Sequence, residues 1–154
     1  MDKIITRPAT FADMDTLLRF EQGVISAERL FDSTLKNEPI NYYDLAGMIE
    51  RPDIELLVAE LNGELIGSGY ARIEEAKVYL KHPKHAYLGF MYVDPAHRGK
   101  GVNQKIITAL KKWATERNIN ELRLEVYYDN LPAIKAYEKV GFSKLMIEMR
   151  LPND

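Results

Sequence analysis

Apolar and polar residues recur along this chain in two rhythms, and the elements change where the rhythm changes. Residues 3–7 read as a short first strand, and Thr10 with Asp13 three positions on has the spacing of a capping box that opens a helix. Met14, Leu17, Leu18, Val24 and Ile25 then follow at helical spacing. Glu21 falls on the same stripe. A carboxylate on a buried face needs a partner, so Glu21 is either a ligand for an amine or a side chain that reaches solvent near the helix end. Residues 28–38 have no clean period and predict a short helix plus a loop. After Pro39, Asn41 is placed to cap a second helix that ends before Pro52. Residues 54–61 and 64–73, joined by Asn62-Gly63, predict a hairpin, because Asn-Gly supplies both positive-φ positions of a tight primed turn. Gly67 and Gly69 in its second strand imply a bulge or a close backbone approach.

The stretch from 88 to 107 organises the rest of the chain. It reads as an apolar strand to Val93, a turn at Asp94-Pro95, a basic glycine loop over residues 98–101, and a helix with Val102, Ile106, Ala109, Leu110, Trp113 and Ala114 on one face. Residues 121–127 alternate, with Leu122, Leu124 and Val126 facing one way and Arg123, Glu125 and Tyr127 the other. Asp129-Asn130-Leu131-Pro132 caps a last helix, Gly141 closes it, and residues 142–151 predict one terminal strand. Strands that alternate with helices in this order predict an α/β or α+β layer around a mixed central sheet flanked by helices.

Composition narrows the picture. At 154 residues the chain is expected to be a single domain, residues 1–154, with a sizeable core. It has no cysteine, which excludes a disulfide scaffold, a thiol nucleophile and thiolate metal sites, and fits the cytoplasm. No apolar run is long enough to span a bilayer, so no membrane partner is expected. A net charge of −2 gives no field that would gather nucleic acid, and basic function must be local. His82 and His85 stand three apart with no carboxylate near them in sequence, so no metal site is expected.

The basic loop is where chemistry is expected. Gly99 and Gly101 let backbone amides crowd a ligand, the helix after them offers unpaired N–H groups and a positive dipole end, and Arg98 and Lys100 add charge. Such a loop holds a phosphate. It lacks the Gly-Lys-Ser/Thr ending of a Walker loop, and Gln104 stands where a Rossmann loop has its third glycine. Arg98-Gly99-Lys100-Gly101-Val102-Asn103, after Val93-Asp94-Pro95, resembles instead the acetyl-CoA loop of the GNAT superfamily of N-acyltransferases. Asn103 departs from that pattern, where Gly or Ala is usual; its side chain either screens the last amide or itself reaches a phosphate oxygen. A second run is similar to the same family: Asn130, Ala133, Tyr137, Gly141 and Phe142 stand at the fixed positions of its Asn-x-x-Ala-x-x-x-Tyr-x-x-x-Gly-Phe pattern.

The resemblance implies a GNAT fold with shortened C-terminal strands and acetyl-CoA as cosubstrate. It implies a central strand splayed at Met91, Tyr92 and Val93, whose freed backbone pairs with the pantetheine arm and supplies the oxyanion donor, and Asn130 on the same arm. Tyr137 resembles the general acid. Its other reading is a core aromatic with Ile134 and Val140. Glu125, in Leu124-Glu125-Val126, resembles the base of ribosomal-protein N-terminal acetyltransferases. A normal carboxyl near 4.3 takes a proton from an α-ammonium uphill by roughly 3.5 units, about 5 kcal/mol, so Glu125 must be raised by burial or act through water; otherwise it is an exposed glutamate on the polar side of an edge strand. The variable first two helices resemble the part of the family fold that covers the acceptor, and Glu21, Glu28, Asp32, Glu38 and Asp44 give it an acidic character. That favours a small cationic amine or amino acid, with a protein N-terminus as the alternative and a non-catalytic acyl-CoA-binding domain as a third reading. Transfer is expected to be direct, since nothing suggests a covalent intermediate. Relatives are often dimers, and a terminal strand over residues 142–151 can pair across a homodimer.

Overall fold

The computed structural model describes residues 3–153. One five-stranded sheet runs in the order β1 (Ile5–Pro8), β2 (Ile54–Leu61), β3 (Glu64–Glu75), β4 (Lys84–Val93) and β5 (Leu122–Arg123). The first four are antiparallel to their neighbours and β5 is parallel to β4, so the sheet is mixed. Helices α1 (Met14–Glu28) and α2 (Leu45–Glu50) pack on one face; α3 (Val102–Thr115) and α4 (Leu131–Lys139) pack on the other. Among the described residues no helix is long and apolar enough to cross a membrane.

Local chemistry sets the entry to this fold. Asp13 accepts from the Thr10 N–H at 2.8 Å and from the two terminal guanidinium nitrogens of Arg7 at 2.8 and 3.0 Å. The expected capping box is present, but it opens a single 3-10 turn, Phe11–Asp13, that runs on into α1. The buried stripe of α1 is Leu17, Phe20, Glu21 and Ile25, while Leu18 is largely exposed. Residues 28–38 hold no second helix: α1 continues to Glu28 and turns follow. α2 also begins later than expected. Asp44, not Asn41, is its cap and accepts from the Gly47 N–H at 3.2 Å. The hairpin turn forms as expected, with Asn62 at φ 53° and Gly63 at φ 81°.

Two cores sandwich the sheet. Leu57, Ile66, Leu88, Val102, Ile106, Leu110 and Trp113 fill the α3 side; Leu17, Phe20, Leu45, Met48, Leu56, Val58, Tyr70 and Phe90 fill the other. Even residues of β4 would all point the same way in a regular strand, yet Leu88 and Phe90 lie in opposite cores. The register explains it: Tyr70 faces Gly89 but Ser68 faces Tyr92, so β4 carries an extra residue. Phe90 absorbs the bulge at φ 54°, a conformation bulky residues rarely adopt, and Ser68 Oγ donates to its carbonyl at 3.0 Å.

The bulge accounts for the largest differences from expectation. β5 pairs with β4 only at Ala86–Leu122 and Tyr87–Arg123, and residues 124–127 leave the ladder although their alternation suits a strand. Beyond Tyr87 the two chains part. Residues 142–151, expected as a terminal strand, form none either; Leu145, Met146, Ile147, Met149 and Leu151 stand exposed.

Candidate active site

The splay makes a cleft, and the glycine loop sits at its end. Asp94 accepts from the Ala96 N–H at 3.0 Å and starts the turn Pro95–His97. Arg98 Nε then donates to the Val93 carbonyl at 3.2 Å, folding the loop back onto the end of β4. Gly99 and Gly101 take φ 80° and 78°, and a Cβ at either would meet nothing within 4 Å, so glycine is needed there for its backbone and leaves the surface open. Gly101 begins α3 with no side-chain cap, which leaves the first-turn amides, those of Val102 and Asn103 among them, without a capping partner at the positive end of a 14-residue helix. Val102 is buried in the core and offers only its backbone. Asn103 is half-buried; Arg98 and Lys100 are exposed, with Lys100 Nζ 3.3 Å from His97 Nδ1. The arrangement suits a diphosphate.

Along the cleft, Tyr92 and Val93 pair with Ser68 and Gly67 of β3, Met91 falls in the bulge, and among the described residues none of the three has a ladder partner on the side facing the departed β5. Met91 and Val93 pack on the α3 core, and the Tyr92 ring lies 4.7 Å from Phe20 on the other face. Gly67 permits this path: a Cβ there would come within 2.8 Å of the Tyr92 carbonyl oxygen. Asn130, expected on the pantetheine arm, uses its side-chain oxygen to cap α4, accepting from the Ala133 N–H at 3.3 Å. Its amide NH2 is left for other partners. Tyr137, two turns on, is half-buried and meets Phe142 edge-on at 5.9 Å. Burial, then the charge of Glu28, push its phenol up to about 12.

Across the cleft the expected acidic residues separate. Glu21 fits neither of its readings: fully buried, it accepts from the backbone N–H groups of Tyr42 and Tyr43, each at 2.8 Å, and so pins the α1–α2 link. Asp44 is the α2 cap, and Glu38 offers its backbone carbonyl to Arg29. Glu28 and Asp32 remain. Burial raises the Glu28 carboxyl, opposed by a hydrogen bond from the Tyr42 phenol. Asp32 accepts from the Tyr127 hydroxyl at 2.7 Å, and Phe31 stacks on Tyr127 at 6.2 Å. Glu125 is exposed and accepts from the Tyr87 hydroxyl at 3.0 Å. Tyr43 lies 5.8 Å from Tyr70, and Tyr70 lies 6.5 Å from Tyr87, which continues the aromatic wall. Among the described residues, no ion pair engages Glu28, Asp32 or Glu125. The arrangement is a group of phenols and carboxylates, with the Arg150 charge acting on Asp32 and the Arg72 guanidinium over the Tyr70 and Tyr87 rings; its three carboxylates suit an organic cation. The tyrosines of this wall were not singled out from sequence; their only signal is abundance, nine in the chain and a Tyr42-Tyr43 pair.

Elsewhere, His85 does have a carboxylate beside it, Glu74 at 3.3 Å, contrary to the sequence reading. Among the described residues no group of three or more His, Cys, Asp or Glu could hold a metal ion.

Known proteins agree with this architecture. A predicted acetyltransferase from Clostridium acetobutylicum, solved with acetyl-CoA, has the same fold at TM-score 0.72 and 20% identity, covering 97% of this chain and 96% of that one. The thialysine N-epsilon-acetyltransferase of Sus scrofa is 28% identical over 148 residues, 92% of this chain and 85% of that protein. The streptothricin acetyltransferase of Escherichia coli is 41% identical over 58 residues, 38% of this chain but only 33% of that protein's length. The model of the acetyltransferase (GNAT) family matches residues 23–142, which takes in the splayed strand, the glycine loop and the Asn130-to-Phe142 run, and the chain belongs to that family.

Proposed function

We propose that residues 1–154 act as a single cytoplasmic N-acetyltransferase domain that transfers acetyl from acetyl-CoA to a primary amine, the acceptor being a small cationic amine or amino acid. The observation that carries the acceptor class is the grouping of Glu28, Asp32 and Glu125 among phenols, with no ion pair to any of the three among the described residues.

In this reading the amides of residues 99–103, with Arg98 and Lys100, hold the pyrophosphate. The free edge of Met91, Tyr92 and Val93 pairs with the pantetheine arm as an added strand would, and Asn130 hydrogen-bonds the same arm. A backbone N–H of that edge receives the oxyanion as the amine adds to the thioester carbonyl. Glu125, through water, takes the ammonium proton, and Tyr137 delivers one to the departing thiolate as the tetrahedral intermediate collapses. A phenol near 12 is a weak donor to a thiolate near 8.5, uphill by about 3.5 units or 5 kcal/mol, so its contribution rests on placement at the sulfur.

A panel of amines and peptides, scored by CoA release, tests the acceptor. Diamines and basic amino acids are expected to turn over at lower KM than neutral amines. Preferential turnover of peptides at their α-amine would favour the alternative that Leu124-Glu125-Val126 supports, a protein N-terminal acetyltransferase. Tyr137→Phe is expected to lower kcat 10²-fold or more, roughly, with CoA affinity kept; unchanged turnover would remove Tyr137 as the acid, and no turnover of any amine by a protein that binds acetyl-CoA would leave a binding domain.

A further inference from the structure

The base proposed above, Glu125, stands where the backbone no longer holds it. β5 stays on β4 as far as the pair Tyr87–Arg123, and Glu125 lies beyond that last ladder pair, exposed. A long, flexible side chain on an unpaired segment samples many rotamers, and a base that wanders is a poor base. Among the described residues one side-chain hydrogen bond crosses the splay to fix it. The Tyr87 hydroxyl donates to Glu125 Oε1 at 3.0 Å, and Oε2 has no such partner.

Tyr87 is itself held firmly. Its backbone lies in the ladder, opposite Arg72 of β3 on one side and Arg123 of β5 on the other. The Arg72 guanidinium carbon lies 5.2 Å from the Tyr87 ring centroid and 5.6 Å from that of Tyr70. Arg72 is fixed in turn: its Nε donates to Glu74 Oε2 at 2.9 Å, and the other Glu74 oxygen lies 3.3 Å from His85 Nε2. Burial, then the Glu125 charge, push the Tyr87 phenol up, so it stays protonated and remains a donor. A phenol suits this place better than a cation would, because it orients a carboxylate without cancelling the charge that draws an ammonium.

We infer that Tyr87 is a positioning residue for the proton transfer: its hydroxyl holds Glu125 by Oε1 and so presents Oε2, in one orientation, to the water that takes the ammonium proton. The inference rests on the reading of Glu125 as the base. In the step it serves, an ammonium N–H bond breaks and leaves its electron pair on nitrogen for attack on the thioester. The water accepts that proton and passes one of its own to Oε2, where an O–H bond forms. Tyr87 keeps its own proton throughout. Arg72 acts one contact further out, by holding the ring that holds the carboxylate.

The test is kcat and KM from neutral pH upward, with the diamine or basic amino acid that the panel turns over best. Tyr87→Phe is expected to keep its thermal unfolding transition and its KM for acetyl-CoA, and to lower kcat at neutral pH by roughly 10- to 100-fold. That deficit should close as the pH nears the amine's own ~10.4, where the acceptor loses its proton to solvent and needs no base. A packing defect would leave a deficit that does not close, and overturns the inference. Placed on Glu125→Gln, Tyr87→Phe should add nothing, since the group it positions is already gone. If Glu125→Gln lowers kcat while Tyr87→Phe leaves it unchanged, or if the two losses add in full, the inference falls and the base stands. If Glu125→Gln leaves kcat unchanged, the base falls and takes the inference with it. Should Tyr87→Phe fail to fold, Arg72→Gln is the second probe: a kcat deficit that closes at high pH supports the inference, and an unchanged kcat overturns it.

Discussion

Tyr137 is a poorer acid in this protein than in water, and that fixes what pH can do to it. As the proposed general acid it would work protonated, a form present below its pKa; with the phenol raised to about 12 by burial and by Glu28, raising the pH through 10 would not remove that form. The kcat profile is therefore expected to show no alkaline fall attributable to Tyr137 up to about pH 10, the ordinary tyrosine value. A fall centred near 10 that Tyr137→Phe abolishes would count against the assigned environment. Asp13 shows the opposite sign. Its hydrogen bonds to Arg7, against the cost of burial, hold its carboxyl below the usual range. That stabilisation is complete above the unfolded carboxyl's ~3.9 and drains away as pH falls through the lower native value. Asp13→Asn is expected to cost about 1–3 kcal/mol in urea unfolding at neutral pH, and the gap to the parent should close on acidification.

At the scale of elements, the α1–α2 link and the end of β4 are held by single residues. Glu21→Ala strips the acceptor from two amides and is expected to cost about 2–4 kcal/mol, with a raised KM for the acceptor and unchanged CoA affinity; Glu21→Gln should recover part of both. Gly67→Ala pushes a methyl against the Tyr92 carbonyl, expected to cost about 1–3 kcal/mol and to weaken acetyl-CoA binding, because the free edge of β4 must shift. What was legible at this scale was local chemistry. The Asn62-Gly63 turn, the open glycine loop at Gly99 and Gly101, the Asn130 cap and the α3 stripe each depend on a few neighbouring residues. The bulge at Phe90 was not legible, since it is fixed by register against β3. The period showed Glu21 on the buried face, but its partners lie 21 and 22 residues away, and no local rule connects them.

The mixed sheet and its helices followed from the order of elements, and the loop between β4 and α3 from its glycines. The grouping of phenols and carboxylates proposed to take the acceptor did not, because it is assembled from α1, the α1–α2 link, β3, β4 and the segment after β5, brought together only by folding. Within it the Tyr127 hydroxyl donates to Asp32, a tie between positions 95 apart in sequence. Such a tie joins the turn after α1 to the segment after β5, and if the acceptor is held between them as proposed, release of the acetylated product requires the two to part. Turnover with a bulky acceptor is then expected to slow as glycerol thickens the medium, and Tyr127→Phe to relieve that viscosity dependence while the thioester binds as before. In that sense one phenol would work less as a wall than as a latch, metering how fast the enzyme empties.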